Sequence, residues 1–550
     1  MRSIRYPIVH SDSDRIWQKH CGFLDLTTEQ FMAVQEILLA QQLERIGDSP
    51  LARKLMGDHT PKSIDELRRR VPLSTYQYYA PEFESGDENA LPEKPFTWAH
   101  TSGGSGTFKR IPCTRDFYHH VLDALMAALI LCCSERRGQS DLIEGDKVLF
   151  NVAPHPYLSG IMASGACQTF TNLKAVMPAD EHDSMDFKDK VAKGFETSLK
   201  TGVDILVAMT SVLVKLGNDF SELSRRESNS KRPKHPAVLY RFARAYLHSK
   251  LEKRGILPKD LWPVKGLIGW GIDTGIYREQ VRQAWGTYPY ELHASTEAGI
   301  MGLQSWNKKD LTLLPTSNFY EFIPEEEWLA CRDNIFAQPS TVLLPDVIPG
   351  KRYELVITSF HGMPFIRYRL GHLVNITAPE DPDAQVRLPQ LTFESRADDL
   401  LDIAGFTRLS EKTVAQALAN ANLHYEDWTM RKEVNGKDVA LHLYIEMNGN
   451  HPAQEVATAL QQELVKLDPG YRDLEQMMGI RPLEITLLRS GTFSDYYARK
   501  KTMGVELLQR KPPRVNALDE IIRELMYFSD AREVIKVKPD SVRVGQEKVA

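Results

Sequence analysis

Between His100 and Pro112 the chain reads HTSGGSGTFKRIP, where glycines and hydroxyl residues crowd together ahead of a lysine, Lys109. Small residues let a backbone turn tightly and aim its N–H groups at an anion. Serine and threonine add hydroxyl donors, and the lysine adds a positive charge. The Walker spacing G-x-x-x-x-G-K-S/T is absent. Read alone, the stretch fits a phosphate cradle and a glycine-rich hairpin equally well. A second stretch, YELHASTEAGI from Tyr290 to Ile300, ends a strand-like run in small polar residues and an acid, Glu297. Such an edge can set a flat base against backbone while the carboxylate reaches a magnesium ion on phosphates. A third, PFIRYRLGHLVNI, carries Arg367, Arg369 and His372 between two β-like runs. A fourth, ESRADDLLDIAGFTRLSEKTV, carries Arg396 and paired acids before a glycine.

The elements around these stretches set their positions. Ahead of the first, the chain is predicted helical, with apolar residues three and four apart in FMAVQEILLAQQLERI. After it comes an apolar helix from Phe117 to Ser134. Short β-rich runs (KVLFNVA, VDILVAM, GLIGWG, YELHAS) then alternate with helical ones, the pattern of parallel strands joined by crossover helices. From Arg352 an antiparallel β segment is predicted. Composition shifts after Gly405, and the order becomes helix, strand, strand, helix, strand. Val456, Leu460 and Leu464 form one apolar stripe there, enough to cover a small sheet. The predicted fold class is therefore α/β: a large N-terminal domain over residues 1–400 and a smaller α+β domain over 401–550.

The totals bound the function. A chain of 550 residues exceeds one core. Its 68 Lys and Arg against 73 Asp and Glu leave a net charge of −5, which argues against a nucleic-acid partner. The basic cluster SKRPKHP reads as a solvated loop. Six scattered cysteines lack C-x-x-C spacing and are expected reduced and buried. The start has no apolar signal core, and the run LDALMAALILCC is too short to span a bilayer. The expectation is a cytoplasmic protein with no membrane partner.

In their order along the chain, the four stretches resemble the adenylate-forming superfamily. Its phosphate loop reads S/T-S-G-S/T-S/T-G-x-P-K, followed by Y-G-x-S/T-E, Y-R-x-G-D and G-R-x-D-D-x-x-K-x-x-G. Within it, the chain resembles the auxin-responsive Gretchen Hagen three family of acyl acid amido synthetases and their bacterial relatives. The details that carry this are VPLSTYQYYAPEF, the ending KRIP, the form YELVITSFHGMPFIRYRLG and the near-terminal RKPPRV. The resemblance implies ATP and Mg2+ as cofactors, activation of a carboxylic acid as its adenylate, and acyl transfer to an amine or amino acid. It implies a smaller domain that moves as a cap. Ser102, Gly103, Ser105, Gly106 and Lys109 would cradle the phosphates. Ala294, Ser295 and Thr296 would line the adenine and α-phosphate region, and Glu297 would ligate the metal. Arg396 would reach the ribose or phosphate edge, Asp402 would be the hinge, and Lys511 would be the cap's catalytic lysine. Lys500 and Lys501 compete for that last role.

Three positions depart from the pattern. Gly104 replaces a hydroxyl residue, Phe108 stands where the superfamily often has proline, and His372 replaces an aspartate that accepts from both ribose hydroxyls. A neutral imidazole offers at most one acceptor. Losing a charge-assisted bond costs about 1.5–3 kcal/mol. Tyr157, Val212, Trp270 and Ile272 are the expected acyl-pocket walls, with ordinary core packing as the alternative for each. His155 could orient a carboxylate, though a hydrogen-bonded structural histidine is the better reading. The rival readings are an acyl-CoA ligase of the phenylacetate type and a degenerate adenylate-binding protein.

Overall fold

The computed structural model describes residues 13–101, 109–178, 185, 187–210, 212–214, 216–217, 235–270, 274–331, 334, 336–397, 400–403, 407–435, 438–449, 451–468, 471, 483–503 and 511–529. The chain divides into two compact units, and the change falls between Glu394 and Ser395.

The first unit opens with helices Ser13–Cys21, Thr28–Ile46, Pro50–Met56, Ile64–Arg70 and Ala80–Ser85. Thr28–Ile46 starts on a capping box: Thr27 accepts from the Gln30 N–H, and the Gln30 side chain accepts from the Thr27 N–H. A hairpin follows, β1 (Thr97–His100) against β2 (Arg110–Cys113). The apolar helix Arg115–Cys132 is capped by Thr114 and buried along most of its length. A short ribbon, β3 (Ser134–Arg136) with β4 (Gln139–Ser140), leads into the main sheet.

Among the described residues that sheet has eleven strands. One half is parallel: β5 (Lys147–Asn151), β6 (Lys174–Ala175), β7 (Ile205–Met209), β8 (Gly266–Trp270) and β9 (Tyr290–Ser295). Helices separate these strands in sequence, as the alternation predicted. The other half comprises β10 (Gly299–Gln304), β11 (Leu311–Leu313), β12 (Asn318–Pro324), β13 (Arg352–Ser359), β14 (Tyr368–Ala378) and β15 (Gln390–Arg396). Within it β10–β11, β11–β15, β12–β13 and β13–β14 pair antiparallel. The spatial order is β12-β13-β14-β15-β11-β10-β9-β8-β7-β5-β6. All six residues of β10 are buried, as expected for a strand covered on both faces.

The second unit holds a ribbon of β16 (Leu400–Ile403) and β17 (Thr407–Ser410), and a sheet of β18 (Tyr425–Asn435), β19 (Asp438–Met447) and β20 (Leu483–Leu488). Ser410 caps helix Glu411–Asn420, and helix Ala453–Leu467 buries Val456, Leu460 and Leu464, the stripe read from sequence. All six cysteines are free, four of them buried. Among the described residues no helix is long and apolar enough to cross a membrane.

Arg367 joins several of these pieces. Its guanidinium donates to Glu321 on β12 through Nε (2.9 Å) and Nη2 (2.8 Å), and both residues are buried. Nη1 donates to the carbonyls of Arg68 (3.0 Å) and Val71 (2.6 Å), which lie at the C-terminal end of helix Ile64–Arg70 and would otherwise be orphaned. A cation is favourable at that helix end. The Arg367 backbone has φ +44°, a conformation that costs a non-glycine residue about 1–3 kcal/mol and persists only where surroundings impose it. Here Ser74 pairs with β14 on both sides of Tyr368: its N–H donates to the Arg367 carbonyl and its own carbonyl accepts from the Arg369 N–H, each at 2.8 Å. Arg369 forms a second bidentate pair, with Glu354 of β13. The two arginines of RYRLG are thus framework residues.

Replacing Arg367 with Met removes the bidentate partner of buried Glu321 and leaves it, among the described residues, only Arg68 Nε, 3.5 Å away, and the Thr341 hydroxyl. The expected cost is about 3–5 kcal/mol, read as a shift of the denaturant midpoint, and Arg367→Met with Glu321→Leu together should recover much of it.

Candidate functional site

The glycine stretch connects β1 to β2 at the His100/Arg110 end of the hairpin. Buried Thr101 closes its neck: its N–H donates to the Lys109 carbonyl (3.1 Å), and its hydroxyl accepts from the Lys109 N–H (3.2 Å). Ser102, Gly103, Gly104, Ser105, Gly106 and Phe108 lie outside the described residues. Lys109 is described and half-buried. Its Nζ lies 5.1 Å from the centre of the Tyr76 ring and 3.9 Å from Oε1 of Glu297.

Glu297 owes its place to a tight turn between β9 and β10. Ala294 and Ser295 pair with Ile300 and Gly299, so Thr296, Glu297 and Ala298 form the bend. Ser295 Oγ accepts from the Ala298 N–H at 3.1 Å. Gly299 has φ +69°, and a Cβ there would come within 2.8 Å of Val121 on helix Arg115–Cys132, so only glycine lets the turn sit on that helix. Thr296 donates to the His100 carbonyl at 3.5 Å, which links the turn to the hairpin. Glu297 is buried. Its carbonyl accepts from Ser359 Oγ (3.3 Å), and its carboxylate accepts from the Tyr368 hydroxyl (3.3 Å). Burial, with the Glu297 charge next, pushes the Tyr368 hydroxyl well above its ordinary range, so it stays protonated and donating. One buried carboxylate beside an ammonium fits a single protein ligand for a hard cation whose other ligands are phosphate and water oxygens.

The expected acyl-pocket residues follow the carboxyl ends of the same parallel strands, the edge where open α/β sheets bind ligands. Tyr157 comes after β5 and is buried; it forms a bridge to His100, whose N–H donates to the Pro156 carbonyl at 3.0 Å. Val212, after β7, and Trp270, closing β8, are half-buried. Ile272 lies outside the described residues. Between these strand ends Thr210 and Thr274 share a buried hydroxyl contact of 2.7 Å. His155 Nε2 sits 3.4 Å from Thr97 Oγ1 of β1.

His372 lies on β14, four residues beyond Tyr368, and its Nδ1 is 3.2 Å from Nε2 of His293 on β9. His293 is four residues before Glu297. Tyr368 on Glu297 and His372 on His293 are therefore two rungs of one crossing between β14 and β9. Three strands separate β14 from β9 in the hydrogen-bonded order, so the sheet must curl for the rungs to form. Phe393 of β15 stacks on His293, with ring centroids 4.9 Å apart. Burial lowers the His293 pKa to about 4, so His293 is neutral near pH 7. Tyr76, Tyr368 and His293 were not singled out from sequence. Tyr76 lies within VPLSTYQYYAPEF, Tyr368 within the RYRLG motif and His293 two residues before Ser295, so motif position was the available signal.

Arg396 ends β15 and is half-buried. Asp402 lies on β16 opposite Arg408; its side chain is outside the described residues. Lys511 is exposed in the second unit and begins a segment tied to β18. Thr429 Oγ1 donates to the Pro513 carbonyl (2.6 Å), and the Met430 N–H donates to the Arg514 carbonyl (2.7 Å). Burial tends to raise the Asp427 carboxyl, yet Arg514, Lys511 and the Tyr497 hydroxyl outweigh it and hold it below the usual carboxylate range. Lys500 is paired with Glu524 at 2.9 Å.

Known proteins share this architecture. Descriptions of the GH3 family N-terminal domain match residues 21–192, its central domain 311–396 and its C-terminal domain 410–519. Jasmonoyl-L-amino acid synthetase GH3.5 of Oryza sativa subsp. japonica is 27% identical over 312 residues, 50% of this chain and 51% of that protein. Probable indole-3-acetic acid-amido synthetase GH3.11 of the same organism is 30% identical over 292 residues, 48% of this chain and 47% of that protein. The chain spans about half the length of the curated relatives it matches. AtGH3.15 acyl acid amido synthetase in complex with 2,4-DB superposes with a TM-score of 0.68 at 19% identity, covering 97% of this chain and 100% of that one. A 2-hydroxyisobutyryl-CoA ligase with 2-HIB-AMP gives 0.58 at 14% identity, covering 92% and 94%. At such identities the structural likeness speaks for the fold. The three family domains occur in order and between them take in more than half of the sequence: the chain belongs to the GH3 family.

Proposed function

We propose that this protein uses ATP to activate a carboxylic acid as its acyl-adenylate and transfers the acyl group to the amine of an amino acid, forming an amide. The observation that carries this reading is the approach of Lys109 Nζ to Glu297 Oε1, 3.9 Å, where the glycine hairpin meets the carboxyl edge of the parallel strands. Cation and carboxylate come from two motifs far apart in sequence. The curated relatives support the reading, since their names describe acid–amino acid synthetases.

In the first half-reaction a carboxylate oxygen of the acid attacks the α-phosphorus of ATP, the bond to the bridging oxygen breaks, and pyrophosphate leaves with the electron pair. In the second, the amine nitrogen attacks the acyl carbon, AMP leaves, and the nitrogen loses a proton. Lys109 and the loop of Ser102, Gly103, Ser105 and Gly106 stabilise charge on the phosphates, the principal demand of phosphoryl chemistry. Ala294, Ser295 and Thr296 form the wall for adenine and the α-phosphate. Tyr368 holds the Glu297 carboxylate in position. Mg2+ held by Glu297 supplies charge neutralisation on the phosphates when bound. Tyr157, Val212, Trp270 and Ile272 favour a hydrophobic or aromatic acid. Residues 1–400 bind ATP and acid; residues 401–550 form a cap that turns about Asp402 and delivers Lys511, with Arg396 at the nucleotide edge.

The direct test is acid-dependent pyrophosphate release across a panel of acids, followed by mass spectrometry of products with amino acids or coenzyme A as acceptor. Amides are expected. Thioesters would move the protein to the acyl-CoA ligases, and no exchange with any acid together with no ATP binding would leave a degenerate fold. Glu297→Ala is expected to abolish pyrophosphate release while leaving the thermal midpoint close to wild type; an unchanged rate removes Glu297 from the site.

His372→Asp is expected to leave ATP affinity at neutral pH unchanged or tighter. Titration calorimetry reads this, and marked weakening would give the imidazole a role a carboxylate cannot fill.

A further inference from the structure

We propose that the exposed face of helix Pro236–Leu251 docks on an anionic phospholipid surface. The helix buries Val238, Ala245 and Ser249 against the first unit, with Phe242 packed on the core. Its outer face carries Leu239 (46% exposed), Tyr240 (69%), Tyr246 (54%), Leu247 (62%) and Leu251 (82%). At 100° per residue these five, with Ala243 and Lys250 between them, fall in one stripe about 140° wide. Isolated exposed apolar residues are ordinary; a contiguous stripe over four turns marks a contact surface.

Charge selects the occupant. From His235 to Arg254 five basic residues (Arg241, Arg244, Lys250, Lys253, Arg254) stand against one acid, Glu252, in a chain whose net charge is −5. Arg241 and Arg244 donate to the Leu261 and Asp260 carbonyls, and Arg254 pairs with Asp260, so these three are turned to the protein. Lys250 lies in the stripe with its ammonium 5.4 Å from the Tyr246 ring centre, and Lys253 is exposed at its end.

A second copy of the chain would set like charge against like. Residues 218–234 hold only Phe220 and Leu223 as large apolar side chains, too few to cover five. Apolar and tyrosyl groups on one side with basic residues alongside are the composition of interfacial helices, and anionic headgroups attract the lysines. The proposed contact lies at the surface and needs no membrane-spanning helix.

The test uses the full chain with vesicles of phosphatidylcholine alone or phosphatidylcholine with phosphatidylserine. Co-sedimentation is expected only with phosphatidylserine, falling at high salt. The variant Tyr240→Ser/Leu247→Ser/Leu251→Ser should weaken it by about tenfold or more with an unchanged thermal midpoint, and Lys250→Glu/Lys253→Glu should abolish it. No binding to anionic vesicles overturns the proposal, as does binding that the triple variant leaves intact. A triple variant that only dissociates a dimer, in sedimentation velocity, assigns the face to a second copy and equally overturns it.

Discussion

The buried pair between Arg367 and Glu321 is the constraint on which the first unit's geometry rests. A guanidinium fully inside protein is tolerable only when each donor is matched, and here the carboxylate and two helix-end carbonyls supply that match. The pair fixes β14 against β12 and against the end of an N-terminal helix that lies some three hundred residues away in sequence. It also holds an unfavourable backbone angle at Arg367, which sets the direction of the next side chain, Tyr368. That hydroxyl reaches Glu297. A framework interaction and a site interaction are therefore neighbours on one strand.

Curling of the large sheet does the rest. Parallel strands bring Tyr157, Val212, Trp270 and Glu297 to a common edge, and the antiparallel half turns back so that β14 crosses β9. The crossing encloses Glu297 under Tyr368 and sets His372 on His293. A histidine at that position is no isolated loss of an aspartate, because a neutral, buried partner fixes what its Nδ1 does. If Nδ1 donates to His293, Nε2 of His372 is left with its lone pair; the neutral state of His293 permits that tautomer.

The second unit anchors the backbone around Lys511. The segment from Lys511 to Val515 is bonded along β18 and clamped by Arg514 on Asp427, so Lys511 projects from fixed backbone. Lys500, by contrast, is engaged by Glu524 and a tyrosine ring. Apolar surface is also unevenly spread: one surface helix carries exposed Leu239, Tyr240, Tyr246, Leu247 and Leu251 on one face.

Local pattern made several elements legible in advance. The stripe of Val456, Leu460 and Leu464, the apolar helix at Arg115–Cys132, the strand alternation and the β segment from Arg352 all follow from side-chain periodicity, which acts within a few residues. Motif order gave the family for the same reason, since spacing along the chain is a one-dimensional property. The roles of Arg367 and Arg369 were not legible: the same letters serve a phosphate or a buried carboxylate, and only the chain's return past Glu321 and Glu354 decides between them. Nor was the pairing of His372 with His293, or of Tyr368 with Glu297, because each joins strands that are not neighbours even within the sheet. Sequence determined which groups this protein owns and in what order. Tertiary structure, through the curl of one sheet and the satisfaction of buried charge, decided which of them meet.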